Sequence, residues 1–143
     1  MRSLAALSVV ALLAAPCFAG DRAGVPAGAD FYTLDSTQGT IKVKKGAGGA
    51  AHLTVTPKAG AHVSPDAPIT VLLTGGPALD LPKAKLGRAD GKPTAAQGIE
   101  LDLPFTAKAA GADELKASFT FYICHADLCE RQQKTFSFPV AVE

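Results

Sequence analysis

Leu115-Lys116-Ala117-Ser118-Phe119-Thr120-Phe121-Tyr122-Ile123-Cys124 decides the fold. Its odd-numbered residues are apolar and its even-numbered ones mostly polar, the period of two expected of a strand with one face on a core. After a short interval Phe136-Ser137-Phe138-Pro139-Val140-Ala141-Val142 alternates again, with even-numbered residues as the apolar set. The two runs read as a hairpin, and setting Cys124 opposite Cys129 leaves His125 to Leu128 as a four-residue loop. That register pairs Leu115 with Phe138, Ala117 with Phe136, Ser118 with Thr135 and Tyr122 with Arg131. Core meets core and polar meets polar, although Phe119 opposite Lys134 and Phe121 opposite Gln132 fit less well. Both cysteines then leave the core on one solvent-facing side, with Cβ atoms about 4.5 to 5.5 Å apart, near enough for a disulfide.

Working outward, similar short runs occur at Ile41 and Val43, at Leu53 and Val55, at Ile69, Val71 and Leu73, and at Ile99, Leu101, Leu103 and Phe105. Shorter strands are expected near Phe31 to Leu34 and Lys85 to Arg88. Gly46 to Gly49 reads as a loose hairpin turn between the first two runs, and the Ala-rich stretch from Thr106 to Glu114 as room for a short helix. Clusters of Gly, Pro and Asp separate the runs, and no helical period lasts beyond a turn or two. These signals predict an all-β, immunoglobulin-like antiparallel β-sandwich over residues 31–143.

The N-terminus has the composition of a secretory signal peptide over residues 1–19, with Arg2, an apolar stretch from Leu4 to Ala15 and the small-residue exit Cys17-Phe18-Ala19. The apolar stretch is shorter than the roughly 20 residues of a membrane-spanning helix. Stable membrane insertion is therefore not expected. Pro16 before Cys17 disfavours a lipid anchor on that cysteine. Residues 20–30, rich in Gly, Ala and Pro, read as a flexible lead-in. Removal of the leader takes one of three cysteines and leaves the pair Cys124 and Cys129 in an oxidising compartment, where a disulfide is the default state. It also takes Arg2 from the 14 basic residues, leaving 13 against 13 acidic ones. A neutral chain has no bulk attraction for nucleic acid or anionic membrane.

Closing a ring of six residues stabilises by only about 2 kcal/mol in the chain-entropy account, a small return for a structural bond. Short, solvent-side disulfides are of the type that exchanges readily. Two readings follow, a pair that opens and closes or an inert hairpin clasp on a non-catalytic binding or structural module.

Two stretches carry a family resemblance: Val55-Thr56-Pro57-Lys58-Ala59-Gly60-Ala61-His62-Val63, and Phe119-Thr120-Phe121-Tyr122-Ile123-Cys124-His125-Ala126-Asp127-Leu128-Cys129 followed by an apolar closing strand. From about Lys44 to Val142 the chain resembles the N-terminal periplasmic domain of the DsbD thiol:disulfide interchange proteins, the disulfide bond corrector domain. The resemblance implies an immunoglobulin-like fold in the periplasm. Its hairpin cysteines, here Cys124 and Cys129, would pass electrons to thioredoxin-like periplasmic thiol proteins. One cysteine would attack a partner's disulfide and the other resolve the mixed disulfide. The family's membrane and thioredoxin-like domains have no counterpart in this sequence, so a separate membrane protein is expected to donate the electrons. Glu130-Arg131-Gln132-Gln133 stands where the family often has a proline pair, and Leu79 to Gln97, in place of the family's cap loop, holds no aromatic residue.

Three neighbours are candidate modulators. His125 could lower a thiol pKa or relay a proton, or be simply an exposed loop residue. Asp127 could disfavour a thiolate, or serve turn geometry. Tyr122, opposite Arg131, could touch a partner, or form an ordinary cross-strand pair. His62 reads as a structural turn residue. Cys124, His125 and Cys129 would suit Cu(I) or Zn²⁺, yet a closed zinc site takes four ligands and no second cluster accompanies them. Haem attachment is excluded because Glu130, not histidine, follows Cys129. No cofactor is implied.

Overall fold

Alternation of this kind buries one side of each strand, and two such sheets face each other in the computed structural model, which describes residues 28–143. The expected signal peptide over residues 1–19, with Cys17, and residues 20–27 of the expected lead-in lie outside the described residues. The strands are β1 Tyr32–Ser36, β2 Ile41–Val43, β3 Gly48–Pro57, β4 Ala61–Val63, β5 Thr70–Gly75, β6 Leu79–Asp80, β7 Lys85–Gly87, β8 Gly91–Pro93, β9 Ile99–Ala107, β10 Gly111–His125 and β11 Leu128–Val142. One sheet runs β1-β3-β9-β6, with β8 also on β9; the other runs β2-β11-β10-β5-β7, with β4 also on β10. The fold is the expected all-β, immunoglobulin-like sandwich. Pairing is antiparallel except between β2 and β11, which run parallel.

Between the sheets lie Leu53, Leu101, Leu103, Phe105, Leu115, Phe119, Phe121, Ile123 and Phe138, each nearly or wholly removed from solvent. Burying a side chain of this size stabilises by about 1.5 to 3 kcal/mol. Tyr32 packs edge-on against Phe121 at 5.1 Å between ring centroids.

The two amphipathic runs form β10 and β11 in the register the sequence predicts, including Leu115 with Phe138, Tyr122 with Arg131 and Cys124 with Cys129. The ill-fitting Phe121–Gln132 pair stands because the buried Gln132 side chain accepts a hydrogen bond from the Tyr32 hydroxyl at 3.1 Å. A buried amide without that partner would cost about 1 to 3 kcal/mol.

Three expectations need correction. The loop is two residues, Ala126 and Asp127, because His125 and Leu128 still pair. Ala126 takes the tight reversal at φ 48. Thr106 to Glu114 forms no helix, since β9 runs to Ala107 and β10 begins at Gly111. Of its alanines Ala107 alone is buried, facing the core from β9. Gly46 to Gly49 does not close a hairpin: β2 joins β11 in one sheet and β3 joins β1 and β9 in the other, so the segment crosses between sheets. Gly48 and Gly49 belong to β3, and Phe105 stands across from Gly49 with its ring 2.6 Å from where a Cβ would sit.

Two interruptions shape the end of the sandwich that holds the cysteines. β4 and β5 both pair with β10 and are separated by an excursion over residues 64–69, which contains Pro65 and Pro68. Proline cannot donate to a ladder, so the pairing breaks there. Similarly, β6 and β8 both pair with β9, while β7 between them crosses to pair with β5. Arg88, just after β7, ties the two interruptions together by donating to the carbonyl oxygens of Ser64 and Ala67.

Candidate functional site

A Cys124–Cys129 disulfide joins the second pair above the turn, next to His125–Leu128, with Cα atoms 4.0 Å apart. Such closeness belongs to a non-hydrogen-bonded pair of an antiparallel ladder, whose peptide groups point away from one another. The Ser64 N–H agrees, donating to the Tyr122 carbonyl at 2.9 Å from the side away from β11. Cys124 therefore turns its backbone toward β4, where His62 is its opposite residue. Cys129, Cys124 and His62 form one row across β11, β10 and β4.

The row explains an outcome that alternation alone does not give. Both cysteines lie on the outer face, as parity predicts, but only Cys129 is exposed; Cys124 retains 3% of its accessible surface. The expectation that both face solvent is corrected for Cys124, because β4 makes it a mid-sheet residue between Cys129 and His62. The only sequence signal for β4 was Ala61-His62-Val63, one period of alternation. Its apolar members are buried and His62 between them is half-exposed.

His125 does not stand over the sulfurs. Parity puts it on the inner side of the hairpin, where its ring stacks on Phe31 at 3.7 Å and its Nε2 lies 3.1 Å from Glu130 Oε2. The expectation of an exposed loop residue is corrected, since its side chain is 22% exposed. Gly28 closes on the same spot: a Cβ there would lie 2.6 Å from Glu130 Oε2 and 3.0 Å from Ile123. Residues 28–30, placed by sequence in the lead-in, thus join the 3-10 turn Ala29–Phe31 against the inner side of the hairpin tip. The aromatic at this tip comes from before β1 rather than from residues 79–97.

Asp127 is exposed at the turn. Tyr122 is half-buried beside Arg131 on the outer face, in a shallow groove shared with Ser118, Thr120 and Gln133.

Beyond His62 the row opens into a cleft of about 420 Å³ lined by His62, Val63, Pro65, Arg88, Pro93 and Gln97. The Val63 N–H donates to the Gln97 carbonyl at 2.9 Å, joining β4 to the turn before β9. Gln97 adopts φ 59 there. Gly98 follows because any Cβ would lie 1.9 Å from the Val55 carbonyl oxygen. Sequence reading passed over this cleft because its walls come from four separated segments. Among the described residues no group of three or more His, Cys, Asp or Glu is placed to hold a metal ion, and no helix is long and apolar enough to cross a membrane.

Chemically, the arrangement offers one accessible sulfur backed by one enclosed sulfur. A thiolate arriving from solvent would meet Cys129 first, with Cys124 as the leaving group behind it.

No family model matches the chain, and no curated protein matches it. Among solved structures it is similar to the major subunit of aggregative adherence fimbriae type I from Escherichia coli, at 14% identity over 78% of this chain and 94% of that one, with a TM-score of 0.44. It is also similar to native alpha-2-macroglobulin from Escherichia coli, spanning domain MG7 to the C-terminus, at 15% identity over 78% of this chain, with a TM-score of 0.45. A reconstruction of the native conformation of that macroglobulin gives 17% identity over 78% of this chain and a TM-score of 0.41. The chain spans 16% and 7% of those two macroglobulin chains.

Proposed function

We propose that the protein is a periplasmic thiol:disulfide exchange protein in which Cys124 and Cys129 shuttle electron pairs between thioredoxin-like partners and a separate membrane donor. The observation that carries this reading is the asymmetry of the pair, with Cys129 exposed and Cys124 3% exposed at the tip of a hairpin whose register holds them opposite each other.

In the dithiol state the Cys129 thiolate attacks one sulfur of a partner disulfide, forming a mixed disulfide and releasing the partner's other sulfur as a thiolate. The Cys124 thiolate then attacks Cys129 Sγ, closing the intramolecular bond and expelling the second partner thiolate, which takes up a proton. Two electrons have left the cysteine pair and the partner is reduced. Recharging reverses the sequence, a donor thiolate attacking Cys129 Sγ and Cys124 leaving. The second step in either direction is fast because the hairpin keeps the sulfurs adjacent.

Equilibrating the protein in glutathione buffers and trapping free thiols tests the proposal. An exchanging pair settles above about −300 mV, whereas structural disulfides lie below that value. A potential below it sinks the shuttle and leaves the alternative, a non-catalytic immunoglobulin-like module with a hairpin clasp.

A further inference from the structure

The cleft beyond His62 has a use that the disulfide alone does not explain. Arg88 is half-buried in its wall, and one amino group of its guanidinium donates to the Ser64 and Ala67 carbonyl oxygens, which fixes the side chain. Among the described residues no carboxylate pairs with it. Asp90, two residues along, is taken by the Lys83 ammonium and the Gly87 N–H. A guanidinium held in place, with spare donors and no acid of its own, is suited to receive a carboxylate in its fork. The half-exposed His62 ring and the exposed Gln97 amide add donors at the rim, while Val63, Pro65 and Pro93 supply apolar wall.

Position gives the cleft its meaning. From Cys129 the row runs 4.0 Å to Cys124 between Cα atoms. A hydrogen-bonded antiparallel pair adds about 5.5 Å to His62 at the rim of the cleft. An extended peptide in the polyproline II conformation covers that total of about 10 Å in three residues, at about 3.1 Å each, and its three-residue turn brings residues three apart to the same face.

We infer that the cleft is a docking subsite for an extended segment of the redox partner, one that carries an acidic residue three positions from its reactive cysteine. Arg88 receives the carboxylate while the partner's sulfur meets Cys129. The inference rests on the exchange reading, and its chemistry adds no new step: the partner cysteine thiolate attacks Cys129 Sγ, and Cys124 leaves as thiolate and takes up a proton.

Reduction of the Cys124–Cys129 disulfide is followed with blocked tetrapeptides, acetyl-Cys-Ala-Ala-Glu-amide and its reverse, acetyl-Glu-Ala-Ala-Cys-amide, each against its Gln counterpart. One Glu peptide reacts about tenfold faster than its Gln counterpart, the factor corresponding to about 1.4 kcal/mol of a guanidinium–carboxylate contact. The advantage disappears in Arg88→Gln and with added salt, and returns at least in part in Arg88→Lys. Since Arg88→Gln also removes the brace on residues 64–67, the Glu-to-Gln ratio on the unaltered protein is the primary reading. A ratio of one in both peptide orders overturns the subsite while leaving the exchange reading intact. If no peptide opens the disulfide, the exchange reading fails, and the cleft is read by amide chemical shifts with the thiol-free Ser-Ala-Ala-Glu and Glu-Ala-Ala-Ser peptides. Saturable shifts at Val63, Arg88 and Gly98 support the carboxylate subsite, and their absence overturns it.

Discussion

Cys124 and Cys129 are the same side chain in two surroundings, and their difference sets the chemistry at the residue scale. Thiol reagents follow access, so in the reduced protein Cys129 is alkylated at least about tenfold faster than Cys124. Mass spectrometry of a timed iodoacetamide quench measures the ratio, and equal rates would remove the basis for assigning Cys129 as the sulfur that partners reach. His125 supplies a contrasting case. Its stack on Phe31 and its contact with Glu130 hold the inner side of the hairpin tip, away from the sulfur face. His125→Ala therefore lowers stability by about 1 kcal/mol. Cys129 alkylation in that variant stays within about twofold of the unaltered protein, as expected of a residue that acts on packing rather than on the thiol. Urea titration and the same quench read the two effects separately.

At the scale of elements, β11 is the strand with most to answer for. β10 pairs along its whole length, whereas β2 covers only Val140–Val142 on its other side. From Cys129 to Ser137 no strand among the described residues pairs with the outer edge, and an open edge invites pairing with another chain. Lys134 is the guard: its register partner is the buried Phe119, so it stands on the core side at the margin of the sandwich, where a newly added strand would have to bury its charge. Lys134→Val removes that penalty. The variant is expected to self-associate at concentrations where the unaltered protein is monomeric, as measured by light scattering; unchanged monomers would show that Lys134 does not protect the edge. The residues that made this hairpin legible in the sequence are those whose two faces differ strongly, Leu115 to Ile123 and Phe136 to Val142, because a slip of one residue would turn every phenylalanine outward. The turn was less legible, since nothing in Ala126-Asp127 marks a two-residue reversal as Asn-Gly would. Gly48 and Gly49 resembled turn glycines, yet both are strand residues, and Phe105 across the ladder leaves no room for a side chain at Gly49. β4 was hidden by its length, and with it the burial of Cys124 and the cleft beyond His62. Long-range partners, not local preference, decide all of these cases.

For the whole molecule, stability at the two ends of the pH scale has different physical origins. On the acid side three carboxyls, Glu114 exposed and Asp90 and Asp102 half-exposed, lie below their ordinary pKa values, each for a local reason. The Lys83 ammonium lowers Asp90, the His52 ring lowers Asp102, and the Ser137 hydroxyl lowers Glu114. A carboxyl depressed by folding contributes stability above its unfolded pKa, about 4, and that contribution fades as pH falls through the folded values. The urea midpoint is therefore expected to drop between pH 5 and pH 3. Because these contacts lie on the surface, about 1 M salt should flatten much of that drop. On the alkaline side the relevant group is in the core. Burial raises the Tyr32 pKa, so the folded state resists ionising it, and stability falls as pH rises above about 10. Salt has little purchase there, because the cost is desolvation of a phenolate rather than screening of a pair. Tyr32→Phe should lower the midpoint at neutral pH, through loss of the bond to Gln132, and should lessen its decline above pH 10. A midpoint that falls as steeply above pH 10 in Tyr32→Phe as in the unaltered chain would show that ionisation of Tyr32 is not the source of the alkaline loss.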